Sequence, residues 1–98
     1  MKSKTIAAID IGTNAVRLFI SSMEEYPTET LYKKIAFIRV PLRLGDDVFT
    51  TGKIEDKKRH RLRETMQGFS YIMSAFNVER YKAYATCAMR EALNGPAV

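Results

Sequence analysis

The chain has 98 residues, with 16 Lys and Arg against 11 Asp and Glu, so its formal net charge is +5. This length allows one domain at most, and 46% hydrophobic residues argue against wholesale disorder. A single cysteine, Cys87, excludes an intrachain disulfide framework and a multi-cysteine zinc site. No apolar run is long enough for a signal peptide or a membrane span. We therefore expect a soluble, cytoplasmic chain without a membrane partner.

Three strands are predicted in the first half of the chain. Residues 5–9 are apolar and residues 15–21 are apolar and partly alternating, with a short turn between them. A second turn over residues 26–29 leads into a β-prone stretch over residues 31–44, in which Pro41 marks an edge or a bend. Three successive strands joined by tight turns predict an antiparallel meander.

An amphipathic helix follows the meander after a loop. We predict that it opens at Glu55 and Asp56 and closes near Asn77. Gly68 weakens its middle by roughly 1 kcal/mol relative to alanine, so packing must hold this helix. Five apolar side chains recur at i, i+4, i+7, i+11 and i+14 and therefore share one face: Leu62, Met66, Phe69, Met73 and Phe76.

The last part of the chain predicts a fourth strand over residues 81–85 and a second helix over residues 86–93. Because a helix precedes the fourth strand, we expect that strand to cross over and run parallel to the first. The element order is β-β-β-α-β-α. The fold class is α/β with a mixed sheet.

The turn between the first two strands has the residue types that a phosphate site needs. Gly12 permits a close approach to the backbone, and Thr13 and Asn14 add side-chain donors beside the N–H groups of the turn. Asp10, at the end of a buried strand, is suited to a divalent cation, and phosphoryl chemistry uses such donors together with a metal. These residues are also ordinary turn formers, so a plain hairpin is the alternative.

Three segments resemble known families. Residues 10–18 (DIGTNAVRL) are similar to the first phosphate loop of the actin, sugar-kinase and 70-kDa heat-shock superfamily. Residues 43–54 and 85–94 resemble the R-L-G…G-x-[LI] and A-T-x-A-x-R-x-A-x-N segments of the exopolyphosphatase/guanosine pentaphosphate phosphohydrolase (Ppx/GppA) family. The resemblance implies that residues 1–98 form the front part of the first lobe of an actin-like, ribonuclease H-like α/β fold, which is incomplete at this length.

The resemblance also implies an activity. It predicts a Mg²⁺-dependent hydrolase that releases terminal phosphate from inorganic polyphosphate or guanosine pentaphosphate, with water as the nucleophile. The family's water-positioning glutamate is expected beyond residue 98, so we assign no catalytic residue here and expect the chain alone to be inactive. The residues that match family motifs are Asp10 for the metal and, for phosphate, Gly12, Thr13, Asn14, Arg17, Thr86, Arg90 and Asn94.

Several features qualify this assignment. Many members of the family carry serine where this chain has Ala15, so a phosphate contact there falls to Thr13 or the backbone. Alternation does not decide whether Arg17 faces the site or solvent. Thr86, Arg90 and Asn94 repeat every four residues, which places them roughly on one face of the predicted second helix.

Two other functions stay open. One is an ATP-dependent kinase of the same superfamily, and the other is a basic, non-enzymatic module that binds polyphosphate or nucleic acid. The densest basic run, residues 57–61, fits a solvated helix face, and the absence of interleaved aromatics argues against nucleic acid. His60 has no partner at metal-ligand spacing. A last strand and a sheet face that lack later neighbours predict self-association, as a homodimer or a larger species.

Overall fold

A four-stranded mixed sheet carries one long helix. The computed structural model describes residues 2–44, 52, 54 and 56–85. The strand order in the sheet is β3-β2-β1-β4. The elements are β1 (Lys2–Ile11), β2 (Val16–Glu25), β3 (Thr30–Val40), α1 (Asp56–Ala75) and β4 (Arg80–Ala85).

The predicted antiparallel meander is confirmed. Strand β1 pairs with β2 along its whole length, from Lys2 opposite Glu25 to Ile11 opposite Val16. Strand β2 pairs in turn with β3, and the connection closes through the Tyr26 N–H, which donates to the Glu29 carbonyl at 2.8 Å. Strands β1 and β2 are both longer than predicted, because their pairing continues through polar residues whose side chains are not buried.

The third strand ends earlier than the β-prone stretch does. We predicted this stretch up to residue 44, with an edge or a bend at Pro41, and β3 stops at Val40. The next residue, Pro41, has no N–H for the ladder and restricts the residue before it, so pairing ends there. The bend implied by Pro41 therefore terminates the strand.

The fourth strand lies where the crossover argument predicts. Strand β4 runs parallel to β1, from Ile6 opposite Arg80 to Ile11 opposite Ala85. The Glu79 N–H donates to the Thr5 carbonyl at 2.8 Å and fixes the entry of the chain into β4. The predicted α/β fold with a mixed sheet is confirmed.

One face of the sheet and one face of α1 form the core. Side chains alternate along each strand, so every second residue points toward the helix. From the helix, Leu62, Phe69 and Met73 are buried and Met66 packs against them, as predicted. The sheet contributes Ile9, Ile11, Val16, Leu18 and Ile20, all buried. Full burial of each large side chain stabilises the fold by about 1.5–3 kcal/mol.

The end of α1 departs from prediction. The helix ends at Ala75 rather than near Asn77, and Phe76, expected on the apolar stripe, is 43% exposed. Asn77 is left-handed, with φ of 57°, and its N–H donates to the Ser74 carbonyl at 3.1 Å. The Val78 N–H donates to the Met73 carbonyl at 2.9 Å, which completes a Schellman motif. The Phe76 N–H still donates to the Ile72 carbonyl at 3.1 Å, and after the left-handed turn it is Val78, not Phe76, that packs against the core.

Some predictions fall outside the described residues. The second helix over residues 86–93, with Thr86, Arg90 and Asn94, is among them. So are Cys87 and Glu55, the latter expected at the start of the first helix. Within the described part of the chain, no helix is both long and apolar enough to cross a membrane.

Candidate phosphate-binding site

The loop between β1 and β2 is tied down by two backbone hydrogen bonds. The Gly12 N–H donates to the Ala15 carbonyl at 2.9 Å, which closes the turn. The Arg43 N–H donates to the Asn14 carbonyl at 3.0 Å and connects the loop to the chain beyond β3. Within the described residues, no hydrogen bond engages the side chains of Thr13 and Asn14. The loop is therefore held in shape while its side-chain donors stay available.

A row of charged residues crosses the sheet beside this loop. Asp10 on β1 is opposite Arg17 on β2, and Arg17 is opposite Arg39 on β3. Their neighbours along the strands, among them Ile9 and Val16, are buried toward α1. The row therefore lies on the other face of the sheet, which no described helix covers and which we call the open face. This geometry places Arg17 on the same face as Asp10, a point that the sequence left undecided.

Arg17 is held by two contacts. Its Nη2 donates to Asp10 Oδ2 in an ion pair. Its guanidinium also lies 5.7 Å from the ring centroid of Phe19, a cation–π distance. Phe19 in turn packs on Phe37, with ring centroids 4.9 Å apart and ring planes tilted by 53°. These contacts keep the guanidinium close to the loop.

The loop and the charged row surround one cavity of about 320 Å³. This volume lies near the lower end of small-molecule sites, which measure roughly 300–1,000 Å³. The lining residues are Asp10, Gly12, Thr13, Asn14, Ala15, Arg17 and Arg39. The structure therefore brings together all five candidate residues of the first motif and adds Ala15 and Arg39.

Sequence reasoning missed Arg39. Nothing in the local pattern of β3 marks it, because basic residues recur along that strand at Lys33, Lys34 and Arg39. Its place follows from the register of β2 with β3, which the β-bulge near Ile20 shifts partway along the pair. The sequence carries no signal for that register, so only the structure places Arg39 beside Arg17.

The charges around the cavity favour an anion. One carboxylate and two guanidinium groups face it, so the three formal charges leave one positive charge in excess. Asp10 is 20% exposed and Arg17 is 45% exposed, so their ion pair is partly screened by water. Anionic groups such as phosphate are well matched to arginine forks and turn donors.

The fit of Mg²⁺ rests on a single carboxylate. Among the described residues, no group of three or more His, Cys, Asp or Glu side chains is close enough to hold a metal ion. Mg²⁺ often takes only one or two protein carboxylates and completes its shell with water and substrate phosphates. Asp10 beside a phosphate-sized cavity fits this mode of binding, although its carboxylate is paired with Arg17.

The second segment that resembles the family contacts the first. Arg43 has a left-handed backbone, with φ of 55°, and its carbonyl accepts a hydrogen bond from Lys58 Nζ at 2.8 Å. Leu44 and Ile54 are fully buried, with 0% and 2% exposure. In this chain the segment thus anchors the loop to the core and to the start of α1.

The basic run at the start of α1 makes local contacts. Arg59 pairs with Asp56 at 3.3 Å, and His60 Nε2 lies 2.7 Å from Glu64 Oε1. Lys58 is engaged with the Arg43 carbonyl. These contacts are typical of a solvated helix face, as the sequence pattern predicts.

Fold and site together define an actin-like α/β segment with an anion-favouring cavity at the end of its first hairpin. No protein-family model matches the chain. Its fold is that of the Ppx/GppA family: a crystal structure of the Aquifex aeolicus member superposes with a TM-score of 0.89 and 28% identity, covering 98% of this chain and 30% of that one.

Curated proteins point to the same family. Exopolyphosphatase 2 of Mycobacterium tuberculosis is 28% identical over 89 residues, which are 91% of this chain and 28% of that protein. The bifunctional 3-dehydroquinate synthase/phosphatase of Fusobacterium nucleatum is 28% identical over 91 residues, 90% of this chain and 14% of that protein. The chain therefore spans less than a third of the length of these relatives. The resemblance to the Ppx/GppA family predicted from the sequence is confirmed.

Proposed function

We propose that this chain supplies the first phosphate-binding loop of a phosphoanhydride hydrolase. The substrate is inorganic polyphosphate or guanosine pentaphosphate, from which the complete protein releases terminal phosphate. The observation that carries the proposal is the cavity in which Asp10, the loop over residues 12–14 and Arg17 come together. The likeness to an exopolyphosphatase and to Ppx/GppA structures supports the reaction class.

Each residue of the cavity has a proposed role. Thr13 and Asn14 donate to phosphate oxygens, and Gly12 lets the substrate approach the backbone. Arg17 binds phosphate through its guanidinium fork, on the same face as the loop. Asp10 holds Mg²⁺, which when bound neutralises charge on the phosphates.

The remaining roles rest on the family resemblance alone. Thr86, Arg90 and Asn94 match the third family segment, and we propose that they add phosphate contacts from the start of a helix. The glutamate that positions the attacking water is expected beyond residue 98. We also propose a cytoplasmic location and a homodimer or larger assembly.

The decisive experiment measures orthophosphate release by the complete protein. Polyphosphate and guanosine pentaphosphate are supplied separately, each with Mg²⁺ and without any phosphoryl acceptor. A hydrolase releases phosphate under these conditions, because water is the acceptor. A kinase of the same fold turns over only when an acceptor is added, and a binding module retains the polyanion without releasing phosphate, so either result would overturn the proposal.

A further inference from the structure

Arg39 lines the candidate cavity and has no protein partner among the described residues. It lines the cavity with Asp10 and Arg17, and its side chain is exposed. Within the described residues Arg39 forms no ion pair and no side-chain hydrogen bond. Its direct neighbour across the strand pair is another arginine, Arg17, whose charge Asp10 already neutralises. Arg39 is thus the excess positive charge of the site.

Two arginines opposite each other on adjacent strands repel unless an anion lies between or above them, and the partly exposed carboxylate of Asp10 pairs with only one of the two. On an open surface, water and salt relieve much of that repulsion. Here the two side chains line the same cavity. An anion in that cavity has both guanidinium groups as neighbours.

The position of Arg39 indicates which part of a ligand it contacts. Neighbouring strands lie about 4.8 Å apart, so two strand spacings place the Cα of Arg39 about 10 Å from that of Asp10. A single phosphate group held at the loop beside Asp10 fills only part of the cavity that these residues line, whereas a chain of linked phosphates extends across it.

We propose that Arg39 and Arg17 form an arginine pair that binds the second phosphate group of an oligophosphate whose first group occupies the loop over residues 12–14. This proposal rests on the proposed function and extends it, because it makes Arg39 a specificity-determining residue. The pair favours linked phosphates over single orthophosphate. Its ligand is a linear phosphoanhydride chain, inorganic or carried on a nucleoside.

The test is isothermal titration of the 98-residue protein with orthophosphate, pyrophosphate and tripolyphosphate. A chelator is present, so the readout does not depend on a metal. The variants are Arg39→Ala, Arg39→Lys and, as the matched control, Arg80→Ala. Arg80 is exposed on the same open face as Arg39. It is opposite Ile6, which lies four residues before Asp10 on β1, so it is away from the cavity. Arg80→Ala changes the net charge by the same amount as Arg39→Ala.

Arg39→Ala should weaken binding of tripolyphosphate and pyrophosphate by about tenfold, the equivalent of one charge-assisted hydrogen bond. Orthophosphate binding should change less than twofold. Arg39→Lys keeps the charge but loses the fork, so its loss should be intermediate. Circular dichroism confirms that each variant is folded, which is expected because Arg39 and Arg80 are exposed.

Two results would overturn the arginine pair. One is equal weakening by Arg39→Ala and Arg80→Ala, which is a general effect of charge. The other is equal weakening of orthophosphate and tripolyphosphate. In either case, the proposed function stays intact if the unaltered protein binds orthophosphate and Thr13→Val abolishes that binding. If the unaltered protein binds none of the three anions, the proposed phosphate loop fails, and the arginine pair fails with it.

Discussion

Asp10 is the residue on which the two interpretations of the first hairpin differ most. Its carboxylate pairs with Arg17 and lines the cavity, so it is able both to hold the turn and to hold a cation. The pair is partly exposed, and ion pairs of this kind contribute only about 0–1 kcal/mol to stability. The structure therefore gives Asp10 a small structural role and leaves room for a large functional one.

We predict that Asp10→Asn in the complete protein lowers turnover by about 10²–10³-fold, or about 3–4 kcal/mol in the transition state. The amide keeps the size of the side chain and a hydrogen bond to Arg17 but loses the charge that we propose holds Mg²⁺. Stability should fall by no more than about 1 kcal/mol. Steady-state kinetics and thermal unfolding measure the two effects separately.

The control for this prediction is Arg90→Ala. If Arg90 binds phosphate, its replacement by alanine should raise KM or lower kcat/KM without shifting the Mg²⁺ requirement. An Asp10→Asn protein that unfolds early yet turns over normally at low temperature would show that the first hairpin is only a hairpin.

At the scale of elements, local signals predicted most of the fold. Alternation and turn residues located the strands, and the crossover rule placed β4 parallel to β1. The errors lie where a long-range or backbone effect decides the outcome. Phe76 continues the helical period, but the left-handed Asn77 turns the chain directly after it, and Val78 packs against the core instead. The place of Arg39 beside Arg17 depends on the register of β2 with β3 across the β-bulge, and sequence periodicity does not determine that register.

The helix α1 supports a stability prediction. Gly68 lies in its middle, and a Cβ added there meets no heavy atom within 4 Å. Gly68→Ala should stabilise the protein by roughly 1 kcal/mol, because alanine restricts the unfolded chain and favours the helix. For a chain of this size that is a rise of about 4–8 °C in Tm.

Gln67→Ala is the matched control. Gln67 is exposed on the adjacent position, glutamine is nearly as good a helix former as alanine, and the change removes only one long, exposed hydrogen bond, from Gln67 Nε2 to the Tyr71 hydroxyl at 3.4 Å. Calorimetry of both variants measures the difference. A lower Tm for Gly68→Ala would mean that the open space beside Gly68 is occupied in solution.

At the scale of the whole molecule, the candidate site is rich in binding groups and poor in groups for proton transfer. Asp10 is the only described carboxylate lining the cavity, and it is paired with Arg17. The relatives are more than three times as long as this chain. The division implied by the family resemblance is that this chain binds phosphate and residues outside it position the attacking water.

We therefore predict that the 98-residue chain binds oligophosphates without hydrolysing them. Electrostatic groups aimed at the developing charge supply most of the rate enhancement in such reactions, and the described residues provide only part of that set. A malachite green assay with polyphosphate and Mg²⁺ should show no release above a blank. Release that is lost in Asp10→Ala would contradict this prediction.

The open face of the sheet predicts self-association. Phe19, Ile35 and Phe37 are 36–41% exposed, and they are contiguous because Phe19 is opposite Phe37 and Ile35 lies in the β-bulge next to it. At the other side of the sheet, separated from this patch by β1, β4 forms an edge of the described sheet, with Tyr81 and Tyr84 more than half exposed. An exposed apolar patch and an open strand edge each favour pairing with a second copy.

We expect the 98-residue chain to be dimeric or larger, with a mass that rises with concentration in multi-angle light scattering. Ile35→Ser combined with Phe37→Ser should shift the chain toward monomer if the open face mediates contact. Tyr81→Lys should do so if the edge of β4 mediates it, because charged side chains on an edge strand oppose pairing. Tyr71→Lys is the control, since Tyr71 is 68% exposed on α1, away from both surfaces. A monomer at every concentration would show that the cations flanking the patch, Arg17 over Phe19 and Lys34 over Phe37, shield it sufficiently in water.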